Sequence, residues 1–164
     1  MDVEAARMED VDRVADLWVA LAAGQREYGS FLASDENRAT VREAVARAVV
    51  TGGLLVARED GSVVGFVMFG PSSGAYEQTV EKGVVENLYV DPDHRGAGIG
   101  TALLRAAEEA LRADGADVVA LDVMAGNEAA QRLYRELGYR PHRITMTKAG
   151  DSETDMVPNE YDSL

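Results

Sequence analysis

Apolar and polar positions along the chain fall into alternating blocks of period near 3.6 and period 2. A short strand is predicted from Val3 to Arg7. Val11, Val14, Ala15, Trp18, Leu21 and Ala22 then recur at helical spacing, with Gly24 as the expected stop and Trp18 as a core residue. A loop from Gln25 to Ser34 precedes a second helix, about Arg38 to Val50, with Val41, Val45, Ala48 and Val49 inward. Leu54 to Arg58 and Val63 to Phe69 read as a hairpin about the turn Glu59-Asp60-Gly61-Ser62. A polar link from Ala75 to Gly83 leads into a strand from Val84 to Val90. There Val84, Glu86, Leu88 and Val90 alternate onto one face, with Val85, Asn87 and Tyr89 on the other. Asp91-Pro92-Asp93 stops it. Ile99, Leu103, Ala107 and Ala110, with Leu104 and Leu111 beside them, mark the buried face of a third helix. Val118 to Val123 is apolar throughout, as suits a strand buried on both faces. Asn127 caps a fourth helix through Leu137, and Tyr139 to Thr147 is predicted as a final strand, weakened at its start by Pro141. The order, hairpins followed by a βαβαβ run, implies an α/β (mixed α+β) fold: a mixed sheet with helices on both faces.

Between the Val84–Val90 strand and the third helix lies Arg95-Gly96-Ala97-Gly98-Ile99-Gly100-Thr101. Glycines at a helix N-terminus present unpaired N–H groups and the positive end of the helix dipole, which is an anion site, most often for phosphate. No lysine follows these glycines, so the Walker pattern is absent. Thr101 occupies the place where a dinucleotide fingerprint needs glycine or alanine.

Length, charge and cysteine content narrow the classes. At 164 residues the chain has room for one domain with a real core, and 46% hydrophobic residues exclude a disordered class. No apolar run approaches about 18 residues, so no membrane span is expected. The acidic N-terminus is not a signal peptide, and there is no cysteine for a disulfide, thiolate nucleophile or cysteine metal site. Both suit a cytoplasmic protein. Twenty-nine acids against 16 bases give a net charge of −13. That field repels nucleic acid and anionic lipid and attracts cations, so an anionic cofactor must be held by local geometry. Residues 151–164 are acidic and unpatterned; a single domain over 1–148 with a mobile tail over 149–164 is expected.

Arg95-x-x-Gly98-x-Gly100, read as Gln/Arg-x-x-Gly-x-Gly/Ala after a strand and before an amphipathic helix, resembles the diphosphate motif of the GNAT superfamily of acyl-CoA-dependent N-acetyltransferases. The element order is similar over residues 1–148, and Asn127, Ala130, Leu133-Tyr134 and Gly138-Tyr139 fit a second family pattern. The resemblance implies a six- to seven-stranded twisted sheet splayed between strands 4 and 5. It implies acetyl-CoA as co-substrate, with no metal, and acetyl transfer to an amine by direct attack. Its diphosphate would take the N–H groups of Arg95, Gly96, Ala97, Gly98, Ile99, Gly100 and Thr101. Its pantetheine arm would pair with backbone groups of Leu88 and Val90 and meet Asn127. Leu88 or Tyr89 would supply an oxyanion donor. Glu86 is the candidate base, with partial burial expected to raise its pKa, or else an internal ion-pair partner. The resemblance makes Tyr134 the proton donor to the departing thiolate; spacing alone reads it as a core aromatic. Glu86-Asn87-Leu88-Tyr89-Val90, the glycine loop and Tyr134 are also similar to the spermidine/spermine acetyltransferases, although Asn87 stands where those enzymes carry a second acid. Glu27, Tyr28, Glu77 and Glu81 in the loops then suggest a small cationic amine acceptor. A protein N-terminus or lysine, and a non-catalytic acyl-CoA sensor, are the alternatives. A homodimer is expected from the family.

Overall fold

The period-2 segments build a five-stranded sheet in a computed structural model that describes residues 1–150. The acidic tail lies outside the described residues from 151 onward. The strands are β1 (Asp2–Ala5), β2 (Leu54–Glu59), β3 (Ser62–Pro71), β4 (Lys82–Val90) and β5 (Val118–Leu121). They lie side by side in chain order. Pairing is antiparallel from β1 to β4 and parallel between β4 and β5. A parallel neighbour needs a crossover, and helix α3 (Ile99–Ala113) supplies it. The remaining helices are α1 (Val11–Gln25), α2 (Arg38–Thr51) and α4 (Glu128–Glu136). No helix among the described residues is long and apolar enough to cross a membrane.

Contacts divide the chain into two units. The first joins Met1–Leu21 to Ala33–Asp122 and contains the whole sheet. In β3, every residue from Val63 to Phe69 is buried, so both sheet faces are covered. On one face α3 packs across β2, β3 and β4, burying Ile99, Leu103, Leu104, Ala107 and Leu111. The apolar sides of α1 and α2, including Val14, Trp18, Val41 and Val45, remain to cover the other. The second unit joins Ala22–Leu32 to the described residues from Val123 onward and contains α4.

Three expectations change. First, α1 runs through Gly24 and is continued by a 3₁₀ turn, Arg26–Tyr28, because one glycine near a helix end costs only about 1 kcal/mol. Second, β5 is an edge strand, with Val118 44% exposed, and not a strand buried on both faces. Third, the sheet has five strands among the described residues, not six to seven, because Tyr139–Thr147 forms none. Pro141 removes a ladder donor there, and Ile144 and Met146, 81% and 89% exposed, bury too little apolar surface to set a register.

The start of β2 depends on a close backbone approach. The Gly53 N–H donates to Ala48 O at 2.9 Å, and its carbonyl accepts from Phe69 N at 3.0 Å. A Cβ at Gly53 would stand 2.5 Å from Phe69 O. Gly53→Ala is therefore expected to lower stability by about 1–3 kcal/mol, read as a lower urea midpoint. An unchanged midpoint would show that the Gly53–Phe69 approach is free to widen.

Candidate functional site

The register of β3 on β4 decides what β4 presents. Opposite residues of an antiparallel pair share a face. Phe69 faces Val85 and Met68 faces Asn87, which leaves Glu86 without a partner as the extra residue of a β-bulge. Val67 faces Leu88 and Gly65 faces Val90. Val85, not Glu86, therefore shares the face of Leu88 and Val90, and the simple alternation expected along β4 is corrected. This is the α3 face, since a Cβ at Gly65 would meet Leu103 at 3.2 Å. The expected partial burial of Glu86 is corrected as well: its side chain is exposed, because a bulge turns the extra residue out of the packed ladder. It has no ion-pair partner among the described residues, so the salt-bridge alternative has no counter-charge there.

The bulge coincides with a parting of strands. The β4–β5 ladder ends at Val85 and Leu121, while β4 continues five residues further, to Val90. The Asp91 N–H donates to Val64 O on β3 at 2.8 Å. Backbone groups alternate sides along a strand, so those of Tyr89 also face β3, and those of Leu88 and Val90 point toward the side β5 has left. Leu88, not Tyr89, is thus the available backbone donor.

Beyond β4, Asp91 Oδ1 accepts from Asp93 N at 3.1 Å and caps the 3₁₀ turn Pro92–His94. The Arg95 N–H closes that turn onto Pro92 O at 3.4 Å, so the run of free amides begins at Gly96, one residue later than expected. The first helical bond of α3 is Ala102 N to Gly98 O, 3.0 Å. The N–H groups of Gly96, Ala97, Gly98, Ile99, Gly100 and Thr101 meet no acceptor among the described residues. Gly96 and Gly98 adopt φ of 85° and 81°, the left-handed region, and nothing lies within 4 Å of a Cβ at either. Six donors at the positive end of a 15-residue helix, with open space before them, fit a diphosphate. Ile99 is buried and anchors the helix end. The Arg95 side chain turns back: Nε donates to Val90 O at 2.9 Å, and its guanidinium lies 5.2 Å from the centre of the Tyr89 ring. Arg95 thus fastens the loop to the end of β4 and uses the Val90 carbonyl. This leaves Leu88 N–H and C=O and Val90 N–H open on the side β5 has left.

In the second unit, Asn127 Oδ1 accepts from Ala130 N at 3.2 Å and caps α4. Gln131, which the sequence reading missed, donates from Nε2 to Ala125 O at 2.7 Å and Met124 O at 3.2 Å, holding the loop before α4. Tyr134 is half-buried and meets Tyr139 edge to face, with ring centres 6.0 Å apart. Burial pushes its phenol above the usual tyrosine range. Glu27 is exposed on the Arg26–Tyr28 turn, and Tyr28 packs beside Gly126, where a Cβ would lie 3.8 Å from Tyr28 O. Glu77 is exposed between β3 and β4 in the first unit. Among the described residues no three His, Cys, Asp or Glu side chains are grouped to hold a metal ion.

Comparison with known proteins agrees with the topology. The model of the Acetyltransferase (GNAT) family matches residues 14–139. The chain is 33% identical over 96 residues to the L-amino acid N-acyltransferase MnaT of Escherichia coli K12, covering 57% of this chain and 54% of that one. It is 36% identical over 104 residues to an N-alpha-acetyltransferase of Sulfurisphaera tokodaii, covering 60% and 62%. The match thus spans roughly half the length of these curated relatives. Among solved structures, a tetramutant of the BH1408 protein of Bacillus halodurans superposes with a TM-score of 0.75 at 26% identity, over 91% of this chain and 99% of that one. With the family pattern running through most of the chain and the fold shared almost end to end, this protein belongs to the GNAT acetyltransferase family.

Proposed function

We propose that the protein transfers an acetyl group from acetyl-CoA to the primary amine of a small cationic acceptor, by direct attack within a ternary complex. The observation that carries this reading is the row of six unpartnered amides from Gly96 to Thr101, beside a strand β4 released from β5. Those amides would hold the diphosphate, Leu88 and Val90 would receive the pantetheine arm, and Asn127 would contribute its side-chain amide. Bound acetyl-CoA supplies an activated thioester. An amine near pKa 10 is mostly protonated at neutral pH, and Glu86, the first residue beyond the β4–β5 ladder, would take that proton directly or through water. The Leu88 N–H is the donor available to an oxyanion. Tyr134, a phenol that is protonated at neutral pH and that burial shifts further upward, would give its proton to the leaving thiolate; its assignment rests on the Asn127-to-Tyr139 pattern. The net charge of −13 favours a cationic acceptor, with Glu27, Tyr28 and Glu77 as candidate contacts. A cytoplasmic location and a homodimer belong to the same proposal.

A second reading has its own support. The two relatives carry names that specify an L-amino acid and an N-alpha amine. An α-amino group, on a free amino acid or a protein N-terminus, is therefore the alternative acceptor.

The test is thiol release from acetyl-CoA with a panel of polyamines, amino acids and N-terminal peptides. The chain has no cysteine to add background. Turnover with at least one cationic amine is expected. Coenzyme binding without turnover on any member would favour a sensing module. Glu86→Gln is expected to lower kcat most at neutral pH, with the loss narrowing as the amine deprotonates. Tyr134→Phe is expected to lower kcat by about 10²-fold with the KM for acetyl-CoA little changed. Wild-type kcat in both variants would remove the assigned roles.

A further inference from the structure

The glycine loop has almost no fastening of its own. Gly96, Ala97 and Gly98 are exposed, and their amides bond to nothing among the described residues. Its aim must therefore come from its two ends. One end is Ile99, buried under α3. The other is the turn Asp91–Arg95: Arg95 ties its far end to Val90 O, and a residue far away in sequence holds its start.

Arg13, on the first turn of α1, reaches two groups at once. Its Nε donates to Val63 O at the start of β3, 3.2 Å away, and its Nη2 donates to Asp91 Oδ2, also at 3.2 Å. Asp91 Oδ1 is engaged by the Asp93 N–H, and the Asp91 N–H by Val64 O. Each polar atom of Asp91 toward the sheet is thus tied. The Asp93 N–H, with Arg13 beside it, holds the Asp91 carboxyl below the usual aspartate range against the opposing effect of burial. A guanidinium can bridge a carbonyl and a carboxylate in this way because its donors sit on separate nitrogens in a rigid plane; an ammonium carries all three donors on one nitrogen at the end of a flexible stem.

Resting on the coenzyme reading of the loop given above, we infer that Arg13 is a positioning residue for the diphosphate site. It fixes Asp91 against β3 and so sets the direction of the Gly96–Thr101 amides, without itself touching the coenzyme. A role confined to holding α1 on the sheet would affect every ligand and global stability. Aiming the amides affects only ligands that carry the diphosphate.

The test compares acetyl-CoA with S-acetylpantetheine, which has the thioester and arm but no 3′-phospho-ADP part. In Arg13→Gln the Kd for acetyl-CoA is expected to rise about three- to tenfold, with that for S-acetylpantetheine unchanged. Asp91→Asn should give a similar rise, and the double variant little more, since the two act as one tie. Arg13→Lys should fall between wild type and Arg13→Gln. An equal rise for both ligands, no rise for either, or full additivity with Asp91→Asn would overturn the inference while leaving the coenzyme reading intact. Wild-type protein that binds neither ligand would overturn that reading, and this inference with it.

Discussion

Gly98→Val is expected to abolish acetyl-CoA binding while leaving a folded protein. Gly98 is the N-terminal cap of α3 at φ 81°, where a β-branched residue is strained by about 1–2 kcal/mol. A Cβ there meets no protein atom within 4 Å beyond its chain neighbours. The folded state therefore loses only the strain. The cost to binding is larger, because the side chain occupies the space before the free amides and the relaxed backbone turns some of them away. Loss of two charge-assisted hydrogen bonds alone corresponds to about a 100-fold weaker affinity or more. The control is Gly52→Val. Gly52 shares the φ of 81° and the open surroundings but caps the far end of α2, so it should show comparable destabilisation with coenzyme affinity retained. Calorimetric titration of both variants decides it. Unchanged affinity in Gly98→Val would discredit the phosphate loop.

Arg58→Met is expected to cost about 3–5 kcal/mol of stability at pH 7. Arg58 on β2 donates Nη1 and Nη2 to the two oxygens of Asp10, at 3.2 and 2.9 Å, and Nε to Glu4 on β1 at 2.6 Å. Asp10 is only 5% exposed and also accepts from the Arg7 N–H at 2.8 Å, which caps the turn leading into α1. One guanidinium thus joins β1, β2 and the start of α1. Its removal strands a buried carboxylate, which is the expensive outcome; Arg58→Met with Asp10→Leu should recover much of the loss.

The same pair sets an acid dependence. Burial would raise the Asp10 pKa, but the Arg58 guanidinium and the Arg7 N–H outweigh it and hold the carboxyl below its ordinary 3.8. A lowered pKa in the folded state means the unfolded chain binds the proton first. The pair's contribution is therefore full above about pH 5 and is lost as pH falls through the lowered value. In Arg58→Met the sign reverses: Asp10 is buried without its partner, its pKa rises, and stability should fall as pH climbs through the usual carboxylate range. Urea midpoints at pH 3, 5 and 7 for both proteins test this. Parallel curves would show that Asp10 is not the group responsible.

What could be read from the chain and what could not divide along sequence distance. The strand, proline turn, glycine loop and helix from Val84 to Ala113 are contiguous, so side-chain period, the breaking effect of Pro92 and the freedom of Gly96 and Gly98 specify them locally. The same holds for the Asn127 cap and for the hairpin at Asp60-Gly61. Edge position, bulges and ion pairs are decided elsewhere. Whether Glu86 continues the alternation or is squeezed out depends on how Met68 and Phe69 register against it, and nothing near Glu86 announces that. Whether β5 is flanked depends on Tyr139–Thr147 finding a partner. Arg13 and Asp91 stand 78 positions apart, and Arg58 and Asp10 stand 48 apart. The sequence alone determined the glycine loop before α3 and the family pattern, because both are written in consecutive residues. Tertiary structure alone decided the exposure of Glu86, the release of Leu88 and Val90 from β5, and the long-range arginine ties. These arise from strand register and chain closure, which set which distant residues meet.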